Sequence, residues 1–343
     1  ADFVRRPGVD HPVEPPFDTL DENRPVDLDL KQSGRRSIDE RRGIVCLPGK
    51  NGSTGRFKHL KRTDNTLTVV RAQPQRGVPV MLRQNAMEAY RYNLTLEPSY
   101  FEGHLHLGVL QYRTKQYAEA IQHLREASRL NPKQPEAHIV LGLSHFQVEE
   151  YEPSLQAFLE GIRNNPDNPD LHFNAGTAYD KLNRFDDVVK SMETTLTLDP
   201  HHADAMNYLG YSYAERGVKI EEAIALTKQA VALRPTNGYY VDSLAWAFFK
   251  KGLLSEALTE MKRAVALVGD DPVIYEHLGE IHLKQQHLSD GREALLHALE
   301  LDPSNDKLMQ RFRELGLGDP AKEERIRQAI RRVTERKSAP STQ

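Results

Sequence analysis

A two-residue signature, Leu107-Gly108, comes back as Leu141-Gly142, Ala175-Gly176, Leu209-Gly210, Leu244-Ala245 and Leu278-Gly279, at steps of 34, 34, 34, 35 and 34 residues. A second marker keeps the same time. Pro98, Pro132, Pro166, Pro200 and Pro235 step by 34, 34, 34 and 35, and Pro303 falls two steps of 34 further on. A fixed period of this length is the mark of stacked units, each of which buries its apolar face only against its neighbours. The 343 residues therefore do not divide into ordinary globular domains around separate cores.

With the signature pair numbered 7 and 8 of the unit, position 20 reads Ala120, Ser154, Val188, Ala223, Ala257 and Gly291, and position 27 reads Ala127, Gly161, Thr195, Ala230, Ala264 and Ala298. Small side chains at 8, 20 and 27 let two helices approach closely, while Leu124, Phe158, Met192, Met261 and Leu295 at position 24 fill between them. The proline near the end of the unit cannot continue a helix and stops the second one. One unit carries an extra residue between Gly210 and Ala223, in the Arg216-Gly217-Val218-Lys219 turn. It is expected to lengthen that turn and leave both helices intact.

The pattern resembles the tetratricopeptide repeat (TPR), a helix-turn-helix unit, over about two thirds of the chain. It departs from the family at position 4, where a large aromatic is common and this chain has His104, His138, His172, Met206, Val241 and Tyr275. The resemblance implies an all-α fold, a right-handed α-solenoid of helix pairs, in which the first helix of each unit lines a concave groove with positions 2, 5, 9, 12 and 13. Those positions hold Leu105, Val109, Tyr112 and Arg113; then Ile139, Leu143, Phe146 and Gln147; then Phe173, Thr177, Asp180 and Lys181. Further along come Asn207, Tyr211 and Glu215, then Tyr239, Asp242, Trp246 and Phe249, and finally Glu276, Glu280 and Lys284. The groove is thus apolar and aromatic at its start, mixed in its middle and acidic toward its end. Trp246, at position 9, is read as an aromatic anchor in the groove, outside the core between helices, so Trp246→Ala is expected to weaken partner binding and leave stability nearly unchanged. Family members that hold chaperone tails use lysine, arginine and asparagine at positions 5 and 9, and only Asn207 answers to that here.

Residues 1–79 read as an extended N-terminal arm, 80–318 as the solenoid with a half-repeat cap, six repeats and a capping helix, and 319–343 as a basic C-terminal helix and tail. The half-repeat is a helix from about Val80 to Leu96 carrying Ala86 and Tyr90, and the cap is Asn305 to Leu315. Residues 1–30 are proline-rich with net charge −5, whereas 31–80 carry net +9. Within the arm, Thr66–Val70 is β-like and is expected to pair with Gly55–Leu60 across Asp64-Asn65. The long basic stretch is read as a strap that orders on a partner. Past Asp319-Pro320, Ile326, Ile330 and Val333 form a narrow apolar stripe among arginines, a solvated helix end that also offers peripheral association with a membrane.

A net charge of −3 and a pI near 6.6 give no pull toward nucleic acid, and no apolar run approaches the length of a membrane span. The lone Cys46 excludes an internal disulfide framework. The chain starts at Ala1 without methionine, which suits a mature exported protein and equally a trimmed one; export, periplasmic or held at a membrane by a partner, is expected over a cytoplasmic location. Gly49-Lys50-Asn51-Gly52-Ser53 is similar to a phosphate loop, but Gly43 and Gly49 have five residues between them where a Walker A needs four. His104 with His106 and His201 with His202 lack the company of a zinc site, and the position-4 histidines fit packing. No catalytic residue, cofactor or metal is therefore expected. The reading is a non-catalytic scaffold that binds other proteins through its groove and arm, as an accessory or assembly subunit of a larger complex. A TPR co-chaperone, a secretion or envelope-assembly adaptor, and the regulatory subunit of an enzyme are the alternatives.

Overall fold

A computed structural model describes residues 78–315 and, ahead of them, four two-residue strand segments. The first helix, α1 (Val78–Leu96), is followed by six helix pairs: α2 (Phe101–Arg113) with α3 (Tyr117–Leu130), α4 (Pro135–Gln147) with α5 (Tyr151–Asn164), and α6 (Pro169–Lys181) with α7 (Phe185–Leu198). Then come α8 (Ala203–Arg216) with α9 (Ile220–Leu233), α10 (Gly238–Lys251) with α11 (Leu254–Val268), α12 (Pro272–Lys284) with α13 (Leu288–Leu301), and a last single helix, α14 (Asp306–Glu314). The array is the expected α-solenoid.

Local chemistry sets the ends of these helices. Leu96, Leu130, Asn164, Leu198, Leu233 and Leu301 each end a helix two residues before one of the periodic prolines. Pro135, Pro169 and Pro272 occupy the first position of α4, α6 and α12, where the missing N–H costs nothing. Asn168, Asn237, Asp271 and Asn305 cap helix starts by accepting from backbone N–H groups of the first turn. In five of the six pairs position 8 is a glycine whose backbone meets a side chain: a methyl added at Gly108 would lie 2.6 Å from Leu124 Cγ, and one at Gly279 2.5 Å from Leu295 Cδ2.

The position-4 histidines turn out to tie each unit to the one before. His104, His138 and His172 donate from Nε2 to the carbonyls of Pro98, Pro132 and Pro166 at 2.9, 3.0 and 2.7 Å, closing the C-terminal end of the preceding second helix. Val241 cannot do this for Pro235, and Arg263 takes over, its Nη2 donating to the proline carbonyl at 2.6 Å.

The turns between paired helices rest on one left-handed residue, Lys115, Glu149, Asn183, Gly252 or Gln286. The unit with the extra residue needs two, Gly217 (φ 68°) and Lys219 (φ 47°), and both of its helices run unbroken. First helices touch one another from unit to unit, α2 with α4, α4 with α6, α8 with α10 and α10 with α12, and the second helices make no comparable contact, so the array bends with its first helices inside. At one end Met87 and Tyr90 of α1 pack on Leu107, and at the other Leu308 and Phe312 of α14 cover Leu295 and Leu299 of α13.

The chain divides into two units, residues 13–85 and a second dominated by the helical array. In the first, β1 (Leu28–Asp29) pairs antiparallel with β4 (Thr66–Leu67), and β2 (Leu47–Pro48) with β3 (Thr54–Gly55). This corrects the expected hairpin. Thr66–Leu67 is extended, but its partner is Leu28–Asp29, and Gly55 pairs with Leu47. The rest of the basic arm and the helix expected from Asp319 to Lys337 lie outside the described residues.

Candidate functional site

Packing has claimed many of the residues expected to form a groove on the first helices. Leu105, Val109, Tyr112, Ile139, Phe173, Asn207, Tyr211, Asp242 and Trp246 are buried, whereas Phe146, Asp180, Tyr239, Phe249, Glu276 and Glu280 are half-buried. The aromatic side chains are spent on neighbours in both halves of the face. Tyr112 packs on Tyr117 and Phe146 on Tyr151, with ring centroids 5.7 and 5.4 Å apart, and Phe173 meets Tyr208 edge-on at 6.2 Å.

The densest chemistry sits where α8, α10 and α12 come together. Asp242, at 0% exposure, accepts from His277 Nδ1 at 2.8 Å, while its Oδ2 has no hydrogen-bond partner among the described residues. Trp246 stacks on His277 with centroids 3.9 Å apart and on Phe249 at 4.7 Å, and its Nε1 donates to Glu215 Oε2 at 2.6 Å. Lys250 Nζ lies 4.9 Å from the indole centroid and 3.4 Å from the same carboxylate. These partners of Trp246 all belong to first helices. At 8% exposure, however, it is a packed side chain, and the expectation that its removal leaves stability untouched does not survive.

Electrostatics follow from this packing. Burial pulls the His277 pKa down, but the charges of Asp242, Glu276 and Glu215 and the bond to Asp242 outweigh it, and the net shift is upward. Burial pushes the Glu276 carboxyl up, and Glu280 and Glu215 add to this against the pull of His277. Glu280 is engaged by Arg311, whose Nε donates to it at 3.1 Å. Glu276 forms no ion pair with a described cation. Sequence reasoning found Asp242, Trp246, Glu215 and Glu276 and missed His277, which is at position 6 and outside the groove pattern. The available signal was its spacing: it stands 35 residues after Asp242, one unit plus one residue, where a buried carboxylate on the previous first helix needs a donor.

An all-helical array of this kind, with an inner face built from first helices, defines a repeat scaffold, and solved structures share it. The Cut9–Hcn1 assembly of the APC/C is 14% identical with a TM-score of 0.59, covering 68% of this chain and 46% of that one. A tetratricopeptide repeat protein of Parabacteroides merdae (16%, TM-score 0.56, 70% and 94%) and pilF of Pseudomonas aeruginosa (15%, TM-score 0.52, 68% and 99%) share the fold as well. A curated TPR repeat-containing protein of Pseudomonas aeruginosa is 32% identical over 91 residues, which are 26% of this chain; the chain spans 15% of that relative's length. Sequence profiles described as TPR repeat and tetratricopeptide repeat match residues 112–148, and 139–187, 173–238 and 243–306, together more than half of the chain. The chain belongs to the tetratricopeptide repeat family and is a protein–protein interaction scaffold.

Proposed function

We propose that the inner face holds an extended, basic segment of a partner polypeptide, with its acidic end between α10 and α12 taking a lysine or arginine side chain. The observation that carries this reading is Glu276, a half-buried carboxylate raised in pKa by burial and neighbouring acids and paired with no described cation. A guanidinium or ammonium beside it would relieve both costs. The buried aromatics elsewhere on the face hold its shape. In this reading the chain is a non-catalytic accessory or assembly subunit, and its basic stretch from Lys31 to Val80 docks on the same or another partner.

Selection of a random peptide library on the full-length protein tests this. Recovered peptides should be enriched in lysine or arginine, bind more weakly as salt rises, and lose about tenfold in affinity to Glu276→Gln, the size of a charge-assisted hydrogen bond at a partly buried site. Recovery of acidic or free-carboxylate peptides, or affinities unmoved by Glu276→Gln, would overturn the assignment.

A further inference from the structure

The turn between paired helices brings position 11, in the last turn of the first helix, against position 16, the residue before the second helix. In the second unit that pair is His145 and Glu150, and the imidazole Nδ1 donates to the carboxylate at 2.6 Å. The third unit has Tyr179 and Arg184, with the guanidinium 4.6 Å from the ring centroid. The fourth, allowing for its extra residue, has Tyr213 and Lys219, whose Nζ donates to the phenol oxygen at 2.9 Å. In each of these the two side chains are chemically complementary.

The sixth unit differs from these three. Positions 11 and 16 are His282 and His287, two imidazoles with centroids 5.8 Å apart, and Asp290 stands three residues further on in the first turn of α13. His282 Nδ1 is buried with no hydrogen-bond partner among the described residues, and the nearest Asp290 oxygen is 4.0 Å away, too far for a hydrogen bond. Burial, together with the charges of Lys262 and His287, pulls the His282 pKa down against the opposing effect of Asp290. Two imidazole nitrogens and a carboxylate oxygen are donor types that can share one cation.

We propose that His282, His287 and Asp290 bind a divalent transition-metal ion, with zinc the metal of best fit. One ligand atom from each residue lies within 4.8 Å of the other two, and among the described residues this is the one such group of three. Metal–ligand bonds of about 2.0–2.2 Å in a tetrahedron place ligand atoms roughly 3.4 Å apart, so the set closes by drawing in about an ångström. His287 and Asp290 are exposed and have the freedom to do so, while the backbone stays fixed by the His287 N–H donating to the His282 carbonyl at 2.9 Å. Two imidazoles and one carboxylate match the ligand types of three-ligand zinc sites and leave a further position for water or a side chain of a partner. Lys262 is a neighbouring charge that opposes a cation. The site owes nothing to the basic-peptide reading of the inner face, and either can fail alone.

Titration of the full-length protein with zinc, followed by calorimetry, and with cobalt, followed by its visible absorption, tests the assignment. The variants are His287→Gln and Asp290→Asn, both at exposed side chains, with His201→Gln as a control outside the group. The expected result is a zinc equivalent in the wild type and control that each site variant weakens at least about tenfold, since even outer-shell changes cost that much. Tetrahedral cobalt bands should vanish in the same two variants. Zinc binding of equal stoichiometry and affinity in all four proteins, or no zinc binding by the wild type at micromolar concentration, would overturn the proposal.

Discussion

Trp246 meets His277, Phe249, Glu215 and Lys250 at once, so truncating it removes two ring stacks, a charge-assisted hydrogen bond and most of a buried surface. Trp246→Ala should therefore cost about 3–5 kcal/mol in urea unfolding, and a loss below about 1 kcal/mol would mean that the indole stands outside the packing. Its partner His277 adds a pH dependence with a definite sign. The folded pKa is raised, so the stability contributed by the Asp242–His277 pair is complete below the unfolded value near 6.5 and declines as pH rises through the folded one. The groups facing that imidazole are Tyr211 and Glu215 from α8, Asp242 from α10 and Glu276 from α12. Asp242→Asn should lower the melting temperature most at mildly acidic pH and progressively less toward alkaline pH; a deficit that stays constant over this range would show that His277 does not take up a proton in the pair.

Between residue and molecule stands the helix pair, and there the sequence was most informative. Position 8 is a glycine in five of the six units because the position-24 side chain lies against its backbone, and at Gly142 a methyl group would overlap the ring of Phe158. Gly142→Ala should cost about 1–3 kcal/mol by overpacking, checked by thermal or urea melting against Gly217→Ala. The second variant meets no neighbouring atom and loses only the left-handed backbone freedom that Gly217 (φ 68°) uses, about 1–2 kcal/mol. Period, small-residue positions and closing prolines could all be read directly, because they are contacts within one unit or between identical neighbours. The hydrogen bond from His138 to the Pro132 carbonyl, the Asp242–His277 pair and the His282–His287 turn were not legible. They depend on how far one first helix is rotated against the next and on how two helix ends fold over a turn, quantities that a period does not encode. For the same reason, how deeply packing buries each of the expected groove residues could not be foreseen.

At the scale of the whole chain, a repeat array is stable where its last apolar faces are covered, and here Met87 and Tyr90 cover one end and Leu308 and Phe312 the other. Residues 80–318 alone should accordingly melt as cooperatively as the full chain, within a few degrees. If the array needs nothing from residues 1–79, their charge must be explained otherwise: net −5 over residues 1–30 followed by net +9 over 31–80 is a separation that folding of the array does not require. A long basic segment suits a partner surface that it can wrap, at the cost of ordering it on binding. Limited trypsin digestion distinguishes the cases. Cleavage between Arg35 and Arg76 should be fast in the isolated protein and slow in its native complex, with the array intact in both. Equal protection in the two states would mean that the arm folds on its own chain, and equal sensitivity would mean that its charge serves no docking at all.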